Sequence, residues 1–556
     1  MFGTGSMNKE IRTLVVKCLG IILVVIAVAS CLSIATKSVY APQQEPVPLS
    51  HRERVALNEY LRLRIGIVTG EKEVTVVSPV AFTLRHSRGR LHVEGGETVR
   101  FRIRESVPAQ LRYHVRVGTL TSASGNTEQQ IRRWEDLGYR PELLLRGHVY
   151  VTSSGRALDT RMWLISVASF ENEDEARQLQ EHLSEDGVPS TVEPERSLPP
   201  HGTIEVSLAD GSGTVVDAPI TTRNSQPVVV KNVNFGFWNE RREDRTYRGP
   251  LEIGMDSRGL LQVVETITVE EYLRGVVPAE VPSKWPLEVL RAQAIIARGE
   301  TLAKLNARHS AEDFDLCATE HCQAYAGAGW DTQATARAVK LTKGRALLNG
   351  DRIVDAVYCM NCGGHTENND NVWSSPPSPA LRGVADFDTG SSRFSSPISG
   401  AQLVEWLTTR PRTYCSNVDP GHEDDYRWRV TYSAREIDKM VNAKYDLGTI
   451  KEIRPLERGV SGKLKSIRIV GSKDEVTVRK ELPIRTLFGG LFSAMFIVAT
   501  HRNDDGVPAS FEFVGGGRGH GVGLCQDGAR GLALAGWRYD SILSHYYSGT
   551  KIVKLY

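Results

Sequence analysis

Basic runs and net charge are both scarce in this 556-residue sequence, where 68 Lys and Arg stand against 66 Asp and Glu for a formal charge of +2. Nucleic-acid-binding chains concentrate basic charge on one face, so that class is excluded and no nucleic acid is expected as a partner. Cysteine is missing between Cys31 and Cys317, which confines thiol chemistry outside the leader to the C-terminal part. A phosphate-binding loop is missing as well. The run Gly515-Gly516-Gly517-Arg518-Gly519 lacks the Lys-Ser/Thr ending and the strand-to-helix setting that a phosphate needs. What is present is ordinary globular composition, with 24% charged and 40% hydrophobic residues, and length enough for roughly three or four domains.

The N-terminus reads as an export signal. Lys9, Arg12 and Lys17 precede an apolar stretch from Leu19 to Ala35, the order of a basic n-region and an apolar core. Its end, Val28-Ala29-Ser30-Cys31, resembles a bacterial lipobox, which makes Cys31 the candidate lipidation site. A lipoprotein, an uncleaved membrane anchor and a soluble secreted form all remain open. Each places the rest of the chain outside the cytoplasm, in the cell envelope. Residues 36–58, with Pro42, Pro46 and Pro48, read as a tether.

The expected fold class is α+β and multidomain. Short alternating strands with Gly punctuation over 59–110 predict a small β module, and strands over 201–260 are its expected second half. Between them, residues 111–196 hold an internal repeat. Tyr113, Val115 and Val117 alternate, Ile131, Trp134 and Leu137 follow at helical spacing, and Glu142–Leu145 is extended. Trp163, Ile165 and Val167, then Ala176, Leu179 and Leu183, then Ser190–Glu193 repeat that order. Two such βαβ units predict a ferredoxin-like four-stranded sheet with two helices on one face. Residues 261–556 complete the chain as a larger mixed α/β catalytic region.

In that region Pro286 marks a helix start. Leu287, Leu290, Ala294, Ala297, Thr301 and Leu305 recur at spacings of three and four, which predicts one buried face. Glu280 lies between Pro278 and Pro282, so it is expected on a stiff loop. A carboxyl held beside Val281 and Trp285 has the apolar surroundings that raise a pKa toward neutrality. Glu280 is therefore the candidate acid–base residue, with Glu367 as a fallback.

Four separated motifs carry a family resemblance. They are Tyr272-Leu273-Arg274-Gly275-Val276-Val277-Pro278-Ala279-Glu280-Val281-Pro282 with Ala297-Arg298 after it, His321-Cys322-Gln323-Ala324-Tyr325-Ala326-Gly327, Tyr358–Glu367, and Gly517–Ala529. In this order they resemble the stage II sporulation protein D family. The resemblance implies a lytic transglycosylase that cuts between N-acetylmuramic acid and N-acetylglucosamine and leaves a 1,6-anhydro end. Glu280 would be its catalytic residue, and Arg298, Tyr358, Gly363, Gly364, His520 and Gln526 would line the substrate cleft. The repeat, through Arg116-Val117-Gly118 and Ser166-Val167-Ala168-Ser169-Phe170, resembles the SPOR domain, which implies binding of peptidoglycan glycan stripped of its stem peptides. The implied partners are glycan strands, the membrane and an amidase. The rival readings are a silent glycan-binding scaffold that recruits an amidase and a hydrolytic muramidase.

Cys317, His321 and Cys322 fall within one short stretch, and structural zinc is held by four Cys and His ligands. His309 is the nearest candidate for the fourth. Zinc at this place is known in the resembled family, and a Cys317–Cys322 disulfide is the alternative. Cys359 and Cys362 form a Cys-x-x-Cys pair, a candidate disulfide or further ligand source. No cofactor is required by the reaction, so zinc is expected to shape a wall.

Overall fold

The computed structural model describes residues 54–121, 127–236, 240–390, 392–398 and 400–556. The leader, most of the tether and Cys31 lie outside the described residues. Among those described, no helix is long and apolar enough to cross a membrane.

The alternation that begins at Leu61 becomes a strand, Arg62–Glu71, with Leu63, Ile65 and Ile67 buried. It belongs to a seven-stranded sheet ordered Leu316–Cys317, Arg62–Glu71, Leu261–Thr268, Leu251–Met255, Ile220–Arg223, Phe82–His86 and Gly89–Val93. A six-stranded sheet is ordered Gly213–Asp217, His201–Ser207, Thr98–Val107, Glu73–Val77, Val228–Asn234 and Arg242–Tyr247. Both sheets take strands from each side of the 111–196 repeat, and their apolar faces share one core. Leu261–Thr268 sits in the middle of the larger sheet and Leu316–Cys317 at its edge. The β module therefore runs past residue 260 and is continuous with the segment that follows.

The repeat forms an antiparallel four-stranded sheet in the order Thr191–Leu198, Gln110–Thr121, Met162–Phe170 and Glu142–Arg146. Helix α1 (Thr127–Asp136) and helix α2 (Glu173–Glu185) bury Trp134, Ala176 and Leu183 against Val115, Ile165 and Val167. Gly138 and Gly187 follow the two helices with φ of 85° and 75°, the left-handed cap that glycine adopts without strain. A feature absent from the sequence expectation is the hairpin Val149–Thr152 and Ala157–Asp159, which pairs with Arg54–Leu57.

Helix α3 (Val269–Glu280) begins with a capping box between Thr268 and Glu271. Val269, Tyr272, Leu273, Val276 and Val277 give it a buried stripe at helical spacing. Helix α4 (Leu287–Lys304) has Pro286 at its N-cap, and every residue from Ala292 to Lys304 is buried. It is thus a central helix enclosed on all sides, not one with a single buried face. Farther along, three-stranded sheets of Arg427–Ser433, Pro508–Gly516 and Phe496–Arg502, and of Glu452–Pro455, Ser466–Val470 and Glu475–Arg479, surround a second core. Helix α5 (Gln526–Leu534) returns to pack on α4.

Candidate active site

Glu280 is the last residue of α3 and not a loop residue, because the helix continues through Pro278. Proline removes one backbone donor, but in the last turn that loss is small beside the burial of Val276 and Val277. The opposite side of α3 is approached by the segment after Cys322. A Cβ on Gly275 would lie 2.4 Å from the Tyr325 ring and 2.5 Å from the Gly327 carbonyl oxygen, so only glycine admits this approach. The Ala326 amide donates to the Gly275 carbonyl at 3.1 Å, and two residues earlier the Ala324 amide donates to Glu280 Oε1 at 2.7 Å.

The Glu280 carboxyl is half-buried at the protein surface, with close protein walls. Loss of hydration pushes its pKa up to about 7, while the Ala324 amide and the Tyr358 hydroxyl pull it down and the Glu300 carboxylate adds to the rise. The Tyr358 hydroxyl also donates to Gln323 Oε1 at 3.2 Å, and Gln323 Nε2 donates to Thr301 Oγ1 at 2.9 Å. Gln526 Nε2 donates to the Glu280 carbonyl at 3.3 Å and to Gln293 Oε1 at 3.4 Å. Tyr358 and Gln526, expected in the substrate cleft, therefore both contact Glu280. Gln323, Ala324 and Glu300 are additions. The first two stand inside the His321–Gly327 motif, which carried part of the family likeness but gave neither residue a role.

His520 lies against Trp373, with ring centroids 4.9 Å apart. Burial, reinforced by the Lys463 ammonium, drops its pKa to about 3, so the imidazole is neutral. Its Nδ1 accepts the Val522 amide at 3.0 Å, which leaves the ring proton on Nε2. Trp373 also borders a cavity of about 240 Å³, lined by Arg116, Gly118 and Thr191 of the repeat and by Asp370 and Lys480.

Four expected site residues are placed elsewhere. Arg298 is fully buried and does not reach a cleft; its Nε and Nη2 each bond the Glu270 carboxylate at 2.8 Å. The guanidinium in turn lowers the Glu270 pKa against the effect of burial. Gly363 and Gly364 are buried against Met495 and Trp406, so the close approach they permit is by protein. Glu367 is 1% exposed and accepts from the Val460 and Ser461 amides and the Ser461 hydroxyl, which makes it an anchor for that loop.

His309, Cys317, His321 and Cys322 converge, with one ligand atom from each inside a 4.8 Å cluster. His309 Nε2 is 3.2 Å from Cys322 Sγ, and His321 Nδ1 is 3.6 Å and 3.7 Å from Cys317 Sγ and Cys322 Sγ. A thiolate and an imidazole on one tetrahedral zinc stand about 3.6 Å apart, so this donor set fits that ion. Cys317 and Cys322 are both free thiols, and Cys317 is held low in pKa, first by the Cys322 thiol and then by the two histidines. Cys359 and Cys362 are also unpaired.

Residues 257–348, which carry Glu280 and the Cys/His group, match the family model described as stage II sporulation protein. The likeness to that family model covers this segment of the chain. Residues 367–523 match a second model, described as a domain of unknown function. The chain is 28% identical over 297 residues to the amidase enhancer of Bacillus subtilis, covering 50% of the chain and 40% of that relative's length. It is 27% identical over 310 residues to stage II sporulation protein D of the same organism, covering 52% and 76%. An uncharacterized protein of Brachyspira hyodysenteriae is 27% identical over 291 residues, covering 52% and 68%.

Proposed function

We propose that this protein is an envelope-located lytic transglycosylase that cuts the N-acetylmuramic acid–N-acetylglucosamine bond of peptidoglycan, with Glu280 as its only acid–base residue. The observation that carries this reading is the Glu280 carboxyl itself, poised at about 7 by its surroundings and with Glu367 turned into a loop anchor. Ordinary glycosidases use two carboxyl groups. A muramic acid brings its own 6-hydroxyl, and well-oriented intramolecular attack is worth on the order of 7–11 kcal/mol.

In the first step Glu280 protonates the glycosidic oxygen and the bond to the anomeric carbon breaks. The 6-hydroxyl oxygen then bonds to that carbon, and the Glu280 carboxylate takes the hydroxyl proton. The acid is restored and no water is consumed. The Ala324 amide occupies Oε1, which leaves Oε2 to carry the proton. Tyr358 has one hydroxyl hydrogen, shared between Gln323 and the carboxylate. It serves Gln323 while Glu280 is protonated and turns to Glu280 when the charge forms, easing proton release.

The cavity shared by Arg116, Gly118 and Trp373 supports a path for glycan from the repeat to the site, with the half-exposed Trp373 ring as a stacking surface. On this reading the repeat is a SPOR-type module for stripped glycan, and it raises the local concentration of strands. His309, Cys317, His321 and Cys322 would hold a structural zinc that stiffens the wall bearing Ala324. The ion supplies no step of the reaction. The amidase-enhancer relative supports an association with an amidase, carried by the same surface or by the membrane-proximal leader, lipidated at Cys31 or retained as an anchor.

Stripped peptidoglycan incubated with the full chain tests the reading by product mass. Anhydro-muramic ends are expected. Reducing muramic ends would make the protein a hydrolase, and intact strands would make it a scaffold.

A further inference from the structure

Cys362, Asp386, Cys415 and Cys525 come from four separate segments, yet one ligand atom from each falls inside a 4.8 Å cluster. All four are buried, and Asp386, Cys362, Cys415 and Cys525 each have 0% exposure. The acid–base site uses none of them, and they are distinct from the His309–Cys322 group. The Cys-x-x-Cys spacing suggests that Cys362 pairs with Cys359, but Cys362 Sγ instead faces Cys415 Sγ at 3.7 Å. Two thiolates on a tetrahedral ion with metal–sulfur bonds near 2.3 Å stand about 3.8 Å apart.

Backbone amides point at two of these groups. Cys525 Sγ accepts the Cys362 amide at 3.1 Å and the Gly528 amide at 3.4 Å. Asp386 Oδ2 accepts the Cys415 amide at 3.0 Å, and Oδ1 accepts the Tyr546 hydroxyl. Both partners of Asp386 are neutral, and a buried carboxylate among sulfurs is costly without a cation. Three thiolates and one carboxylate make a four-donor set suited to a thiophilic divalent ion.

We propose that Cys362, Asp386, Cys415 and Cys525 form a second metal site, for a divalent ion of the zinc class. Its place in the fold gives it a task. Cys525 is the N-cap of α5 and directly precedes Gln526, whose amide holds the Glu280 carbonyl. An ion here ties the Tyr358–Glu367 motif, the segments at Asp386 and Cys415, and the start of α5 into one unit behind the acid–base residue.

The test reads metal and not activity, so it stands apart from the transglycosylase reading. The full chain in detergent and its C317S/C322S variant are loaded with Zn²⁺, desalted, and analysed for zinc per chain. About one equivalent retained by the C317S/C322S variant is expected, and it should vanish when Cys415→Ser is added. A folded C317S/C322S variant that retains no zinc overturns the proposal. A disulfide among Cys362, Cys415 and Cys525 in a non-reducing peptide map of the wild type also overturns it. If the C317S/C322S variant does not fold, wild-type stoichiometry decides: two equivalents support the site and fewer overturn it.

Discussion

The Ala324 amide donates a 2.7 Å hydrogen bond to Glu280 Oε1 across 44 residues of sequence. A backbone donor aimed at a carboxyl favours its charged form, yet burial and Glu300 outweigh it and the pKa stands near 7. The two influences hold the group where it can both give and accept a proton, which is what a single acid–base residue requires.

The first consequence concerns pH. In the proposed mechanism the reaction begins from protonated Glu280, so kcat/KM should fall as pH rises through about 7, approaching a tenfold loss per pH unit above roughly 8. Initial rates of anhydro-end formation between pH 5 and 9 measure this. A rate that climbs across the same interval would mean that the carboxylate, not the acid, starts the reaction.

Tyr358→Phe removes a hydrogen bond that lowers the Glu280 pKa. The descending limb should therefore move to higher pH, by roughly half a unit to one unit, while the rate at low pH drops about tenfold or more. A pH–rate profile of the variant checks both. An unmoved limb would show that Tyr358 does not act on the carboxyl.

Arg298 joins α4 to Glu270 at the start of α3 and also bonds the Ala294 and Arg345 carbonyls. Breaking a buried pair from one side costs about 3–5 kcal/mol. Arg298→Met should lower the melting temperature clearly and leave the pH limb of the folded fraction in place. A variant of native stability with a raised KM would return Arg298 to the substrate cleft.

Much of this arrangement was legible in the sequence, and the failures have physical causes. The spacing of Leu287, Leu290, Ala294 and Ala297 announces a helix, and the alternation of Leu63, Ile65 and Ile67 announces a strand, whereas the helix Val269–Glu280 was not anticipated. Pro278 suggested a loop because proline breaks helices in isolation; here the buried stripe beneath it prevails. Arg298 looked like a ligand for substrate because nothing local reveals that Glu270 lies beside it. Gly363 and Gly364 were legible as close-approach positions, but not what approaches them. Ala324 acts through its backbone, which has no side-chain signature. Cys362 bonds across the fold with residues that chain spacing does not place near it.

The group of His309, Cys317, His321 and Cys322 makes a separate claim on stability. If zinc occupies it, a strong chelator should lower the melting temperature by several degrees, because an ion that binds only the folded state stabilises it by mass action. C317S/C322S should show a smaller chelator response than the wild type. Equal responses in the two proteins would remove zinc from this position.

The most direct measurement is anhydro-end release from stripped peptidoglycan by Glu280→Gln beside the wild type. The amide keeps the shape and can still accept the Ala324 hydrogen bond, but it cannot pass a proton. A loss of at least 10²-fold is expected, in line with removal of a general acid–base group, with zinc content and melting behaviour retained. Release at the wild-type rate would contradict the role given to this carboxyl.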